Sequence, residues 1–365
     1  MKINILLPYK EKFDEKKAAS VSITVRNNLL HSNYLNQIKI FGQNVKNPFF
    51  KDNFVGLKYS ILSLKSKNKF LAHEMLKIIA KDSDKNQLIE IHNRPYLVDK
   101  IIKGNKFPIS FFFHNNPQSM NGSKSIKDRE NILHKCVAVF CVSEFIKKKF
   151  LEGIKENFEK VHVLYNGVER KLLKFPKKKK EVLFVGRLVP EKGVHIYVEA
   201  VKAIAHKHPE WSFGLIGSFK LGDNKNRNLY SDTIIKKIRS VGHQAQFYGF
   251  QDQKFVEEKM KSASIVIIPS IWEEPFGLVA AEAMSNGACI IASKVGGIPE
   301  VIKDNGILID NINYKKLSLN IQSLIEDNKM RLNYQRRAWK NFELSSNASS
   351  KKLDSFRKTI CADYF

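Results

Sequence analysis

The sequence predicts an α/β protein built from two doubly wound, Rossmann-like domains, and three observations carry that reading. Short apolar runs alternate with amphipathic stretches along most of the chain, the pattern of a parallel sheet whose crossovers are helices. The alternation breaks once, over residues 169–180, and then restarts. The length, 365 residues, is enough for about two domains of ~150 residues each.

In the first half, residues 3–8 read as an apolar strand followed by a charged loop over 9–17. Residues 18–31 have helical spacing, with Val21, Val25 and Leu29 recurring every four positions. A short strand is expected over 37–41, a helix over 70–81, and a strand over 88–91 that ends at His92-Asn93-Arg94-Pro95. A helix over 96–103 leads to a buried-type strand over 108–113 that ends at His114. A strand over 136–142, a helix over 144–150 and a strand over 161–165 follow, closed by the turn Asn166-Gly167. This sets an N-terminal domain at 1–168. Residues 169–180 contain Pro176 and four consecutive lysines, Lys177 to Lys180, without apolar periodicity, and are assigned to a linker. Strands over 182–185, 212–216, 245–248, 265–269 and 289–292 then alternate with helices over 193–207, 231–241, 253–262 and 277–285, giving a second domain at 181–340. The basic, helical segment 341–365 is expected to pack back toward the first domain. Two such domains facing a central cleft would bind ligands beyond the carboxyl ends of their strands, at helix N-termini.

Composition narrows the partners. Lysine and arginine number 62 against 36 aspartates and glutamates, a net charge of +26. That charge asks for nucleic acid, a membrane surface or a phosphorylated substrate. The 43% hydrophobic and 11% aromatic content excludes a disordered basic tail. Cys136, Cys141, Cys289 and Cys361 form no CxxC pair, so neither a disulfide framework nor structural zinc is expected. No apolar run approaches the ~20 residues that span a bilayer, and the first residues are too soon charged for a signal peptide. A soluble, cytoplasmic protein is the expectation. No DxD-type carboxylate pair stands in a metal-ligand context, so neither a metal nor a cofactor is expected.

The most informative segment is 269–283. A buried strand ends at Pro269, a loop carries Glu273, Glu274 and Pro275, and a helix starts at Gly277. Backbone amides of Phe276, Gly277 and Leu278 at that start, together with the helix dipole, suit a diphosphate. Glu274 in the loop and Glu282 about two turns on can accept hydroxyl hydrogen bonds on either side of it, which points to a sugar-bearing ligand. Arg187 and Lys192 follow the first strand of the second domain, where a cation faces the cleft. Further candidates are Gly186, the turn Tyr248-Gly249-Phe250, and His114, which leaves its strand into a polar loop. His92, Asn93 and Arg94 leave the neighbouring strand at the corresponding place.

Glu274-Pro275-Phe276-Gly277 with Glu282 resembles the E-x7-E signature of family 4 retaining glycosyltransferases, which have the GT-B fold, among them enzymes of lipopolysaccharide core and other cell-surface glycans. The segment 182–188 with Glu191, Lys192 and Gly193 is similar to the family's FVGRL…EKG stretch, and Gly287 with Gly296-Gly297-Ile298-Pro299-Glu300 to its GG.PE segment. Tyr165-Asn166-Gly167-Val168 resembles its NGV turn, and Cys141-Val142-Ser143 the end of one of its strands.

The resemblance implies a nucleotide diphosphate sugar as donor substrate, with no cofactor. It implies that Glu282 holds the ribose, Glu274 the transferred sugar, Arg187 and Lys192 the diphosphate, and that the base lies against the backbone of residues 248–250. His114 would contact the donor sugar beside the reacting carbon, and the first domain would take a glycan or lipid-linked acceptor, lined in part by His92. Where the family has a glycine-rich loop this chain has Lys16-Lys17-Ala18-Ala19-Ser20, so Ala18 and Ala19 mark a site for backbone approach without glycine. The remaining lysines, at Lys16-Lys17, at Lys147-Lys148-Lys149 beside Phe145, Ile146 and Phe150, and at 177–180, suggest peripheral attachment to the anionic inner face of the cytoplasmic membrane. A GT-B epimerase, hydrolase or phosphorylase is the alternative enzyme. Nucleic-acid binding rests on charge alone, since no RNA module is visible, and nucleic acid is not an expected partner.

Overall fold

The computed structural model describes residues 1–59, 66–156, 158–219 and 228–365. It divides into two compact units: Met1–Gly167 together with Ser346–Phe365, and Val168–Ser345.

The first unit runs β1 (Lys2–Leu6), α1 (Ser20–Leu29), β2 (Ile38–Gln43), β3 (Phe54–Leu57), α2 (Lys67–Ala80), β4 (Gln87–His92), α3 (Val98–Lys103), β5 (Ile109–Phe113), α4 (Ile126–Lys135), β6 (Ala138–Cys141), α5 (Glu144–Leu151) and β7 (Val161–Val163). Its sheet is parallel throughout, in the order β3-β2-β1-β4-β5-β6-β7. β4 and β5 are buried at every position, as strands covered on both faces must be. Glu90 in the middle of β4 is the one carboxylate in these two strands. Both its oxygens accept from Arg357 of the C-terminal helix Ser346–Tyr364, at 2.8 Å each, and Arg357 also reaches Asp354 at 3.1 Å. Asp354 in turn accepts from the Asn33 amide and the Ser32 hydroxyl after α1.

The second unit runs β8 (Lys179–Val185), α6 (Val194–Ile204), β9 (Ser212–Ile216), α7 (Leu229–Arg239), β10 (Ala245–Gly249), α8 (Gln253–Ser262), β11 (Ala263–Ile268), α9 (Leu278–Ser285), β12 (Cys289–Ser293), α10 (Ile298–Ile302), β13 (Ile307–Ile309), α11 (Tyr314–Glu326) and α12 (Asn328–Lys340). The sheet order is β10-β9-β8-β11-β12-β13, again parallel. In both sheets the strand order reverses beside the first strand, between β1 and β4 and between β8 and β11. Those are the switch points at which open α/β sheets bind ligands.

Three expectations need correction. The stretch 169–180 is packed structure within the second unit. The Arg170 guanidinium lies 4.0 Å from the Trp339 ring centre and donates to the carbonyls of Ser285 and Trp339, and Phe175 meets the Trp339 ring edge-on. Lys178 Nζ donates to the carbonyls of Met260, Lys261 and Asn286, the spent C-terminal ends of α8 and α9, while Lys179 and Lys180 open β8. A lysine run looks solvated in sequence, and Lys177, Lys179 and Lys180 are exposed, but the Lys178 head satisfies helix ends. The unit boundaries accordingly fall at Gly167 and Ser345. Second, Ile146 and Phe150 are fully buried in the core of the first unit and present no apolar face beside the lysines of α5. Third, β3, α4, α10 and β13 had no counterpart in the apolar pattern. For α4 a local signal was present: Ser125 and Asp128 form a reciprocal capping box.

Candidate active site

At the switch point of the second unit, glycines let three strand ends lie side by side. The Gly186 amide donates to the Ile216 carbonyl at 3.1 Å, and the Gly217 amide to the Gly249 carbonyl at 2.8 Å. Beyond them the chain turns through Pro190-Glu191-Lys192 to Gly193, which adopts a left-handed conformation (φ +64°). A Cβ there would collide with the Pro269 carbonyl oxygen, so only glycine lets this turn press on the end of β11. The Ile271 amide completes the contact by donating to the Glu191 carbonyl at 3.0 Å.

This packing brings Lys192 to Glu274, 82 positions away. Their side chains meet at 2.5 Å, and the Ser270 hydroxyl donates to the same carboxylate oxygen at 2.6 Å. Glu274 and Ser270 are both buried, and Lys192 Nζ also lies over the Trp272 ring. The backbone of Glu274 is braced from behind: its carbonyl accepts from the Gly297 amide at 2.7 Å, and any side chain at Gly296 (φ +58°) would collide with it.

Two further charges of this unit, on the loop after β8 and on α9, have no side-chain partner among the described residues. Arg187 is exposed just past β8. Glu282, one face along α9, is only partly covered, and burial together with the nearby Glu257 charge pushes its carboxyl up to about 7. α9 begins at Leu278 behind a left-handed Gly277, with no side-chain cap, so its first-turn amides lack intrahelical acceptors. Phe276 is buried beneath the turn. The Tyr248 ring is turned away, under Lys259 Nζ at 4.4 Å and against Phe255, so residues 248–250 offer chiefly backbone. A guanidinium, an ammonium–carboxylate pair, an uncapped helix start and a proton-holding carboxyl can together receive a diphosphate flanked by hydroxyl-bearing rings.

At the switch point of the first unit, His92 and His114 lie at the ends of β4 and β5. His92 Nδ1 is 2.8 Å from His114 Nε2, and the rings lie edge to edge, with centroids 5.1 Å apart and 23° between their planes. Asn93 Oδ1 accepts from the His114 amide at 3.0 Å, and Asn93 and Arg94 both hold positive φ. His92 and Asn93 are each 2% exposed. They stand behind His114 and hold it rather than lining an acceptor surface. Burial drives His114 down to about 3 and His92 well below the usual imidazole value, so both rings are neutral at pH 7. Ala18 and Ala19 precede α1, with Ala19 as a cap that has no side-chain acceptor. The α1 start is instead met by Glu11, whose carboxylate accepts from the Ser22 amide at 3.4 Å. Burial raises Glu11, offset by the Ser22 and Val21 amides and the Arg94 charge. Sequence reasoning missed Glu11 and Ser270. Neither stands in a recognisable pattern, and both matter only through partners that folding brings near. Among the described residues no three His, Cys, Asp or Glu side chains gather to hold a metal ion, and no helix is long and apolar enough to cross a membrane.

Comparison with known proteins adds three findings. Residues 167–341 match the family described as "Glycosyl transferases group 1". An uncharacterized glycosyltransferase of Methanocaldococcus jannaschii, MJ1178, is 33% identical over 195 residues, 53% of this chain and 51% of the relative. The chain thus aligns with about half the length of that relative and of a second one from the same organism. Among solved structures, sucrose-phosphate synthase from Thermosynechococcus elongatus superposes with a TM-score of 0.80 at 18% identity over 100% of both chains. Anabaena Alr3699/HepE in complex with UDP and glucose superposes with a TM-score of 0.76 at 18% identity, covering 98% of this chain and 100% of that one.

Proposed function

We propose, from the match of residues 167–341 to the glycosyl transferases group 1 model and the GT-B fold of the chain, that the protein is a retaining glycosyltransferase. It moves a hexose-type sugar from a nucleotide diphosphate sugar to a glycan or glycolipid acceptor, in cell-surface polysaccharide assembly of the lipopolysaccharide-core kind. The observation that carries this reading is the switch point of the second unit, where the Lys192–Glu274 pair and the uncapped start of α9 lie beyond the strand ends, and where Arg187 after β8 and Glu282 on α9 have no side-chain partner among the described residues. UDP in the Anabaena complex supports a nucleotide sugar as the donor class.

In this reading Glu282 accepts from the ribose hydroxyls and Glu274 from the transferred sugar. Arg187, Lys192 and the α9 amides take the diphosphate and stabilise the charge that develops on it as the glycosidic bond breaks. The departing phosphate takes the acceptor's proton, so no side-chain base is required. The first unit takes the acceptor, and its lysines, including Lys147, Lys148 and Lys149, hold the enzyme at the anionic cytoplasmic face of the membrane by charge alone, at about 1 kcal/mol each.

A thermal-shift screen of nucleotide diphosphate sugars tests the donor. At least one should raise the melting temperature of the wild type and leave Glu282→Ala unmoved; no response to any of them would remove the reading. Flotation with anionic vesicles should retain the protein at low salt and release it at high salt. Failure to bind at low salt would strip out the membrane part alone.

A further inference from the structure

The contact between His92 and His114 is a single hydrogen bond between two neutral rings, so it fixes where each proton sits. Only two arrangements satisfy it. Either His92 donates through Nδ1–H to a lone pair on His114 Nε2, or His114 donates through Nε2–H to His92 Nδ1. In the second arrangement His92 would carry its only proton on Nε2. That atom is buried, with no partner among the described residues. The ring is held against turning: it lies parallel to Phe112, with centroids 4.4 Å apart and 12° between planes, and its Nδ1 edge is bonded to His114. A buried donor without an acceptor is the rarer and costlier orphan, whereas an unfilled lone pair is tolerated more readily. The first arrangement therefore prevails, and His114, accepting at Nε2, must hold its proton on Nδ1.

We infer that His92 is a positioning residue that locks His114 in the Nδ1–H form, so that His114 meets its ligand as a hydrogen-bond donor and not as a base. His114 is only partly buried, and its Nδ1 has no protein partner among the described residues, which leaves Nδ1–H to a ligand oxygen. Because the proton of one imidazole is placed by the bond the other nitrogen makes, an acceptor-side contact at His92 is not needed to explain why this histidine is here. The ligand oxygen is a sugar hydroxyl or ring oxygen if the glycosyltransferase reading holds, and to that extent the inference rests on it. The tautomer itself does not.

The test is long-range proton–nitrogen NMR on histidine-labelled full-length protein at pH 7.5, with His92→Phe and His114→Asn used to assign the two rings. Wild type should show both rings protonated on Nδ1; a proton on His114 Nε2 would overturn the inference without any bearing on whether sugar is transferred. In His92→Phe, which keeps the ring on Phe112 but removes the donor, nothing fixes the His114 proton on Nδ1 any longer, and signals of both tautomers should appear. kcat should then fall about 10-fold at little change in donor KM, the scale seen when an outer hydrogen-bond partner is lost. His92→Asn, whose amide can donate from near the Nδ1 position, should restore both the Nδ1–H signal and most of kcat. If His92→Phe and His92→Asn give the same tautomer and the same kcat, the positioning role is wrong. Absence of transfer activity in wild type, with the tautomer as stated, would count against the glycosyltransferase reading alone.

Discussion

After β8 the second unit opens its switch point with glycine: Gly186, Gly193 and Gly217 let backbone approach backbone, and the α9 start at Gly277 is left without a cap. After β1 the first unit fills the corresponding place from within. Ala19 stands at the cap, and the Glu11 carboxylate occupies the helix start. An anion thus meets a helix start without a side-chain cap at α9, after β11, and one already met by a carboxylate at α1, after β1. This contrast, more than the overall charge, indicates which unit can take a diphosphate.

The comparison can be broken from either side. The largest effect is expected at Arg357→Met, which leaves Glu90 and Asp354 buried without their cation and should cost about 3–5 kcal/mol in denaturant unfolding. If the donor belongs to the second unit, the stabilisation that a nucleotide diphosphate gives should survive in that variant below its melting point. Loss of binding there would end the assignment.

Lys192→Ala should lower transfer by about 10²–10³-fold, the scale for losing one preorganised electrostatic donor, read as kcat at saturating donor. A drop smaller than 10-fold would mean that Arg187 and the helix start suffice.

Glu282→Gln tests the vacant carboxyl by stability. The folded protein keeps this proton up to about pH 7, whereas an unfolded glutamate releases it near 4.5. The folded chain then binds more protons between those values, and stability falls as pH rises through them. The amide removes that penalty, so the variant should be about 3 kcal/mol more stable than wild type at pH 8 and equal to it near pH 4, while donor affinity falls about 10-fold. Equal stability of the two proteins at pH 8 would contradict the environment described for Glu282.

The smallest effect belongs to Glu11→Gln. Burial raises this carboxyl in the same direction, and the amide still accepts from the α1 start, so stability at pH 7 should rise by up to about 1 kcal/mol in thermal unfolding. Donor binding should not change; a change would show that the filled helix start of the first unit also serves the nucleotide.

Much of this was legible without coordinates, for identifiable reasons. Buried parallel strands are continuous apolar runs, so β4, β5, β11 and β12 declare themselves by composition. The candidates Arg187 and Lys192 after β8, Glu274 after β11 with Glu282 on the helix that follows, and His114 after β5 come from the rule that ligands gather at strand carboxyl ends. Short edge strands such as β3 and β13, only three or four residues long and partly covered, carry too little periodicity to be read.

What the sequence by itself determined is the two-fold α/β plan, the glycines of the second switch point and the charges set beside them, because each depends on local spacing and backbone freedom. Only the tertiary structure decided how those charges are spent. It pairs Lys192 with Glu274 and leaves Glu282 alone. It turns Lys178 of an apparent linker onto the carbonyls of helix ends, and sinks Ile146 and Phe150 into the core. It sets His92 behind His114, and drops Glu11 onto the start of α1. These are contacts between positions distant along the chain or differences in burial, and neither distance nor dielectric environment is written in any local run of residues.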